Sequence, residues 1–202
     1  MDDAWPAYYD ALAGREPRPL LARAMTVTGP PSADDHAVDL GCGDGTEAAA
    51  LAAAGWRVLA VDGSADGVRR TRALLEALVA EGRVEPHRVE ARRAELSAVD
   101  LPASRLVLSC FALPFADDLA AAWAGARGAL VPGGVLAVTI FGDRDDWTGE
   151  PGVTTVTRAQ LEEMLDGLEV LELDEAEEDR PTALGVAKHW HTYEVLALRP
   201  PR

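Results

Sequence analysis

Gly41, Gly43 and Gly45 fall within five residues, after an apolar lead-in and before an alanine-rich run. A second apolar run follows and stops at an acid, Asp62. Glycines at that spacing let a backbone turn tightly and let a ligand approach with no Cβ in the way. A helix that opens just after them presents free N–H groups. An acid ending the next strand accepts hydrogen bonds from the hydroxyls of a ribose. The combination suits a ligand that carries a nucleoside. The plain alternative is a glycine-rich turn with no ligand.

Position 46 is Thr, so the pattern is G-x-G-x-G and not the G-x-G-x-x-G of a dinucleotide site. Asp39, just ahead of the glycines, is poorly placed for a pyrophosphate and well placed for an ammonium group. S-adenosyl-L-methionine carries an ammonium, a carboxylate, a ribose and an adenine, and no phosphate. In DLGCGDG (39–45), VDGS (61–64) and LVPGGVLAV (130–138), the chain resembles the class I S-adenosylmethionine-dependent methyltransferases. The order and spacing of these pieces match too, and the resemblance covers about 37–198. The N-terminal segment resembles the lid of the small-molecule branch, which includes tellurite-resistance and thiopurine methyltransferases.

The resemblance implies roles by position. Asp39 and the stretch Gly41, Cys42, Gly43 and Gly45 would face the methionine end of the cofactor. Asp62 would hold the ribose hydroxyls, with Gly63 and Ser64 beside it. Ala94 and Glu95 would flank the adenine. Ser109, Cys110 and Phe111 would lie under the sulfonium, although Ser109 and Cys110 also read as small packing residues. The segment CFALPF stands where amino-methylating relatives carry an Asn or Asp before Pro-Pro. That departure argues against a nucleobase or a glutamine amide as acceptor.

Methyl transfer takes most of its reactivity from the cofactor, so the protein need only align and dry the site. A base is needed only if the acceptor must lose a proton. In KHWH (188–191), an extended chain puts His189 and His191 on one face and Trp190 on the other. The two imidazoles are the candidate base, against an edge pair that merely packs beside a loop. As metal ligands they are incomplete, and no metal is expected. In FGDRDDW (141–147), Arg144 is the candidate grip for an acidic substrate and Trp147 a candidate pocket wall. At the N-terminus, Trp5, Tyr8 and Tyr9 recur at helical spacing and read either as packing or as a cover that excludes water. Trp5 and Tyr8 are placed with the substrate. Tyr9 and Arg18 are placed with the cofactor, Arg15 and Arg18 being near enough to meet its carboxylate.

Alternating elements must position these residues. The pattern predicts strands over 37–40, 57–61, 84–91, 106–109 and 135–140, the third of them weak. Helices are predicted over 46–54, 65–80 and 117–130, and from a Thr157/Gln160 capping box to about Gly167. Two last strands, 168–173 and 192–198, are joined without a helix, through a loop over 175–190. The acids from Glu169 to Asp179 read as a solvated face and loop. The fold class is α/β, a Rossmann-like seven-stranded sheet, mostly parallel with an antiparallel last strand, helices on both faces and an N-terminal helical lid. The chain reads as a single domain over 1–202, with the lid over 1–30 and the core over 36–202.

Composition narrows the partners. The 202 residues are 48% hydrophobic and 26% charged, as in an ordinary globular chain. The net charge of −15 argues against a nucleic-acid partner. No apolar run is long enough to span a bilayer, and the acidic start shows no signal peptide. Two cysteines make no disulfide framework, and a reducing cytoplasm fits. The expected partner is a small-molecule substrate, with no nucleic acid and no membrane, and the oligomeric state is not legible. Two other readings stay open: the same cofactor used for non-methylating cyclisation or rearrangement, and an NAD-dependent oxidoreductase.

Overall fold

The structure, a computed structural model, describes residues 5–201. Residues 1–4 of the expected lid lie outside that range. Two helices come first, α1 (Trp5–Leu12) and α2 (Pro19–Thr28). Then β1 (His36–Leu40), α3 (Thr46–Ala53), β2 (Arg57–Asp62), α4 (Ala65–Ala80) and β3 (Val89–Arg93) alternate. The second half runs β4 (Ser104–Cys110), α5 (Leu119–Ala129), β5 (Leu130–Phe141), α6 (Arg158–Met164), β6 (Glu169–Asp179) and β7 (His189–Leu198).

All seven strands join one sheet in the order β3-β2-β1-β4-β5-β7-β6. Neighbours from β3 to β5 are parallel. β7 is antiparallel to both β5 and β6 and lies between them. This is the Rossmann-like sheet expected from the alternation. Strand alternation feeds two cores. On β1, Ala37 packs into the cluster under α2, α3 and α4, while Val38 and Leu40 pack into the cluster under α5 and α6. Each long crossover helix begins on a side-chain cap. Ser64 Oγ accepts from Gly67 N at 3.3 Å, and Asp118 accepts from Ala121 N at 2.9 Å. Thr157 and Gln160 form the expected capping box, with bonds of 3.2 and 2.8 Å.

Three details differ from expectation. The weak third strand begins only at Val89, because Pro86–Arg88 form a short 3-10 turn, and proline there removes a ladder donor. The loop expected over 175–190 is shorter at both ends. β6 runs on to Asp179, which pairs with His189, leaving a turn over 180–188. Backbone pairing with β7 holds the acidic run extended, and its position at the sheet edge leaves the carboxylates solvated. The lid is shorter than expected. Leu20, Leu21 and Ala24 of α2 are buried in the core, so only α1 and the chain behind it cover the site.

Candidate functional site

The strand order turns back on itself between β1 and β4, which opens a crevice at the carboxyl ends of the strands. The glycine loop leaves β1 there. Gly41 N and Cys42 N both donate to Val61 O, at 2.7 and 3.0 Å, and tie the loop to β2. A Cβ on Gly41 would lie 1.9 Å from Ala112 Cβ, and one on Gly45 would lie 2.6 Å from Thr71 Cα. Both residues also have positive φ, 78° and 86°. These two glycines are therefore demanded by the protein's own packing and turn, and not only by a ligand's approach.

Asp62 ends β2 and is held from two sides. Gly43 N donates to Oδ2 and Ser64 N to Oδ1, both at 2.8 Å. Asp39, on β1, is buried, and its Oδ2 has no hydrogen-bond partner. Burial pushes the Asp39 carboxyl well up, and the nearby charges of Glu47 and Asp62 add to that. Arg15 reaches over from the end of α1 and grips both oxygens of Glu47, at 2.6 and 2.5 Å, and Asp44 at 3.1 Å. The Arg18 amide donates to Glu47 at 3.0 Å, and its guanidinium stacks 4.7 Å from the Phe111 ring centre. Arg18 Nε is buried without a partner. Phe111 has φ 61°, the one positive φ at a non-glycine among the described residues. Its strain sits at the crevice, where the end of β4 turns. Tyr9 covers the glycine loop, its ring against Gly43 and its hydroxyl near Gly67, and burial with the Asp62 charge pushes its phenol up.

These groups open into one cleft of about 700 Å³. Eleven residues of the chain are aromatic, five Trp, three Tyr and three Phe, and eight of them line this cleft. A chain poor in rings has spent most of them on one wall, which a random distribution over the core would not give. The rings touch in series. Trp5 meets Phe115 at 5.1 Å, Phe115 meets Trp147 at 5.8 Å, and Trp147 meets Trp190 at 5.5 Å between centres. Behind the wall, Lys188 Nζ lies 4.3 Å from the Trp147 ring centre and 4.2 Å from that of Trp190. Burial lowers the Lys188 pKa, and its ammonium pairs with buried Asp145.

The cleft gathers most of the residues singled out from the sequence. Asp39, Gly41, Cys42 and Gly43 line it, as do Asp62, Gly63, Ser64 and Glu95. So do Cys110 and Phe111 at the end of β4, Tyr9 and Arg18, and Trp5, Tyr8 and Trp147. Others stand outside it. Gly45 packs on Thr71. Ala94 N donates to Asp62 O at 3.1 Å and so supports the site from behind. Ser109 is fully buried, its hydroxyl donating to Leu40 O at 2.8 Å, which is the packing role.

The imidazoles and Arg144 are the main correction. The alternation of KHWH holds, but Trp190 faces the cleft and the histidines face away. His189 is on the surface beside Asp179 at 2.7 Å. His191 is fully buried against Gly142, its Nδ1 accepting from Arg144 N at 3.0 Å. Arg144 points to the β6 acids, at 2.7 Å from Glu175 and 2.6 Å from Glu177. Ligand atoms of Glu175, Glu177 and His191 lie within 4.8 Å of one another. The Arg144 guanidinium already stands among them, 3.1 Å from His191 Nε2. Sequence reasoning missed Phe115, Phe141, Trp190, Leu184 and Val186, all of which line the cleft. The alternation around Trp190 was the available signal for one of them.

Residues 38–136 match the sequence profile of a family described as a methyltransferase domain. That segment holds the glycine loop, Asp62 and the turn into β5, on the sheet order just described. This is a class I methyltransferase fold. Solved structures agree with it. TehB from Haemophilus influenzae superposes with a TM-score of 0.75 at 16% identity, covering 98% of this chain and 66% of that one. The [4+2]-cyclase SpnF gives 0.70 at 16% identity, over 100% of this chain and 94% of that one. Geranyl diphosphate C-methyltransferase from Streptomyces coelicolor A3(2), solved with Mg2+, geranyl diphosphate and S-adenosyl-L-homocysteine, gives 0.66 at 17% identity, over 89% and 76%. A search of curated proteins found no match. The methyltransferase fold thus explains why the glycine loop, Asp62 and the strained end of β4 converge.

Proposed function

We propose that this protein is an S-adenosyl-L-methionine-dependent methyltransferase acting on a small-molecule acceptor. The observation that carries the reading is the pair of acids around the glycine loop, Asp62 held by two loop amides and Asp39 buried with an unpartnered oxygen. A buried orphan carboxyl oxygen is costly unless a ligand completes it. An ammonium group does so. The residues therefore fit the cofactor, and the Streptomyces coelicolor structure with S-adenosyl-L-homocysteine supports the same assignment.

When bound, S-adenosyl-L-methionine supplies a methyl group already activated by its sulfonium. Asp39 would face the ammonium, and Arg18, with its orphan Nε, the carboxylate. Asp62 would hold the ribose hydroxyls, and Gly63 with Glu95 would border the adenine. Phe111 and Cys110 end β4 beneath the place of transfer. Tyr9, Trp5 and Tyr8 close the top and exclude water. The ring wall then aligns the acceptor for in-line attack, an effect of proximity and desolvation.

No helix among the described residues is long and apolar enough to cross a membrane. With free cysteines and a net charge of −15, a cytoplasmic protein without nucleic-acid partners is the matching proposal. The likeness to a cyclase favours one second reading, in which the bound cofactor steers a rearrangement and no methyl is lost. Accumulation of S-adenosyl-L-homocysteine during turnover separates the two. The deciding experiment is calorimetric titration of the purified chain with S-adenosyl-L-methionine, S-adenosyl-L-homocysteine and NAD. Binding of the first two, weakened about tenfold or more by Asp62→Ala, is the expected result. Binding of NAD alone would overturn the proposal.

A further inference from the structure

The cleft has two unlike ends. The end under the glycine loop is polar and holds the acids, with Arg15 bound to Glu47 and Arg18 stacked on Phe111. The other end is bounded by Trp5, Tyr8, Phe115, Trp147 and Trp190, and by Leu184 and Val186 from the β6–β7 hairpin. Leu184 and Val186 are 50% and 62% exposed, apolar side chains left open at the mouth. An exposed apolar rim continuous with a ring wall marks a surface kept for an apolar ligand.

Chemistry is sparse at that end. Apart from Tyr9, Cys42, Arg15, Arg18 and the acids Asp39, Asp44, Glu47, Asp62 and Glu95, the cleft's titratable lining among the described residues is Tyr8, Cys110 and Glu150. Glu150 is exposed to solvent at the rim. Burial pushes the Cys110 thiol up and keeps it protonated. The three groups that would serve as base or anion grip do not reach the cleft. His191 is buried behind Gly142, Lys188 is paired with Asp145, and Arg144 is spent on Glu175 and Glu177. Among the described residues that line the cleft, the cations are Arg15, bound to Glu47 and Asp44, and Arg18, assigned above to the cofactor carboxylate, so an anionic acceptor would meet a chain of net charge −15 with neither of them left for it.

We infer that the acceptor is an uncharged, largely aromatic molecule whose attacking atom already holds a free lone pair at neutral pH, a ring nitrogen or a thioether sulfur. This rests on the reading of the site as one for methyl transfer. The lone pair forms the new bond to the methyl carbon while the carbon–sulfur bond of the sulfonium breaks and its electrons return to sulfur. No proton moves, so no base is needed. The positive charge passes to the product as an onium group, among ring faces that attract it.

The test uses the whole chain with S-adenosyl-L-methionine and four probes: isoquinoline, thioanisole, a naphthol and a naphthoate. Methylation of isoquinoline or thioanisole, with a rate flat from neutral pH upwards and no product from the other two, is expected. Methylation of the naphthol or the naphthoate overturns the inference. So does failure of both lone-pair probes while calorimetry shows the cofactor bound. Absence of cofactor binding would instead overturn the proposed function beneath it. Leu184→Ser, at an exposed tip where folding is not at stake, should raise KM for the accepted probe several-fold with kcat and cofactor affinity unchanged. An unchanged KM removes the hairpin from the acceptor site.

Discussion

The Asp62 carboxylate accepts the Gly43 amide at 2.8 Å, so the acid that ends β2 is bonded to the middle glycine of the loop that ends β1. The same carboxylate takes the Ser64 amide on its other oxygen. One side chain therefore sets the spacing of two loops as well as offering itself to a ligand. Asp62→Ala should weaken S-adenosyl-L-homocysteine binding by about tenfold or more, the usual worth of a hydrogen bond to a charged group. It should also lower Tm, because two loop amides lose their acceptor. Unchanged affinity in a calorimetric titration would remove Asp62 from the site.

Asp39 makes stability and binding depend on pH. Its folded pKa is raised by burial. Below the unfolded value, near pH ~4, both states hold the proton and the acid costs nothing. As pH rises from there towards the raised folded value, only the unfolded state ionises, so stability falls across that window. Asp39→Asn should remove the loss. Its Tm should match the parent in acid and exceed it at neutral pH, while cofactor binding is lost. In the parent, binding of an ammonium-bearing cofactor should release a proton, read as a binding enthalpy that varies with the ionisation enthalpy of the buffer.

Lys188 and Asp145 brace the ring wall from behind. Asp145 also accepts from Trp147 N at 2.9 Å and His191 N at 3.1 Å. Lys188→Met would leave that carboxylate buried with its cation gone, at a cost of about 3–5 kcal/mol in denaturant unfolding. Adding Asp145→Asn should recover much of it, since the charge goes and an acceptor stays. No recovery in the double variant would mean that Lys188 acts through ring packing alone.

Tyr9 closes the glycine loop, with its ring against Gly43. Tyr9→Phe should weaken cofactor affinity by about twofold to tenfold, the range of one neutral hydrogen bond. Tyr9→Ala should weaken it more, by uncovering the cleft as well. Equal affinities for all three proteins in calorimetry would show that α1 is packing only.

Arg144 and His189 stand on the acidic edge, away from the cleft. Arg144→Gln and His189→Ala should leave kcat and KM within about twofold of the parent, as surface changes do. Loss of kcat in either variant would return the edge to the active site.

Much of this protein was legible without coordinates. The strand and helix alternation fixed a parallel sheet, since period and turn residues are local properties of the chain. The glycine loop and Asp62 were legible for the same reason, because a tight turn and its acid neighbour lie close in sequence. The capping box at Thr157 and Gln160 is likewise local. The tertiary structure decided what depends on direction and distance. It placed β7 between β5 and β6, and that placement turned Trp190 towards the cleft and buried His191 away from it against Gly142, a choice alternation leaves open. It gave Arg144 to Glu175 and Glu177, more than thirty residues further along the chain, where sequence spacing says nothing of approach. It also buried α2 in the core and gathered eight scattered rings into one wall, because packing joins residues by surface and not by order along the chain.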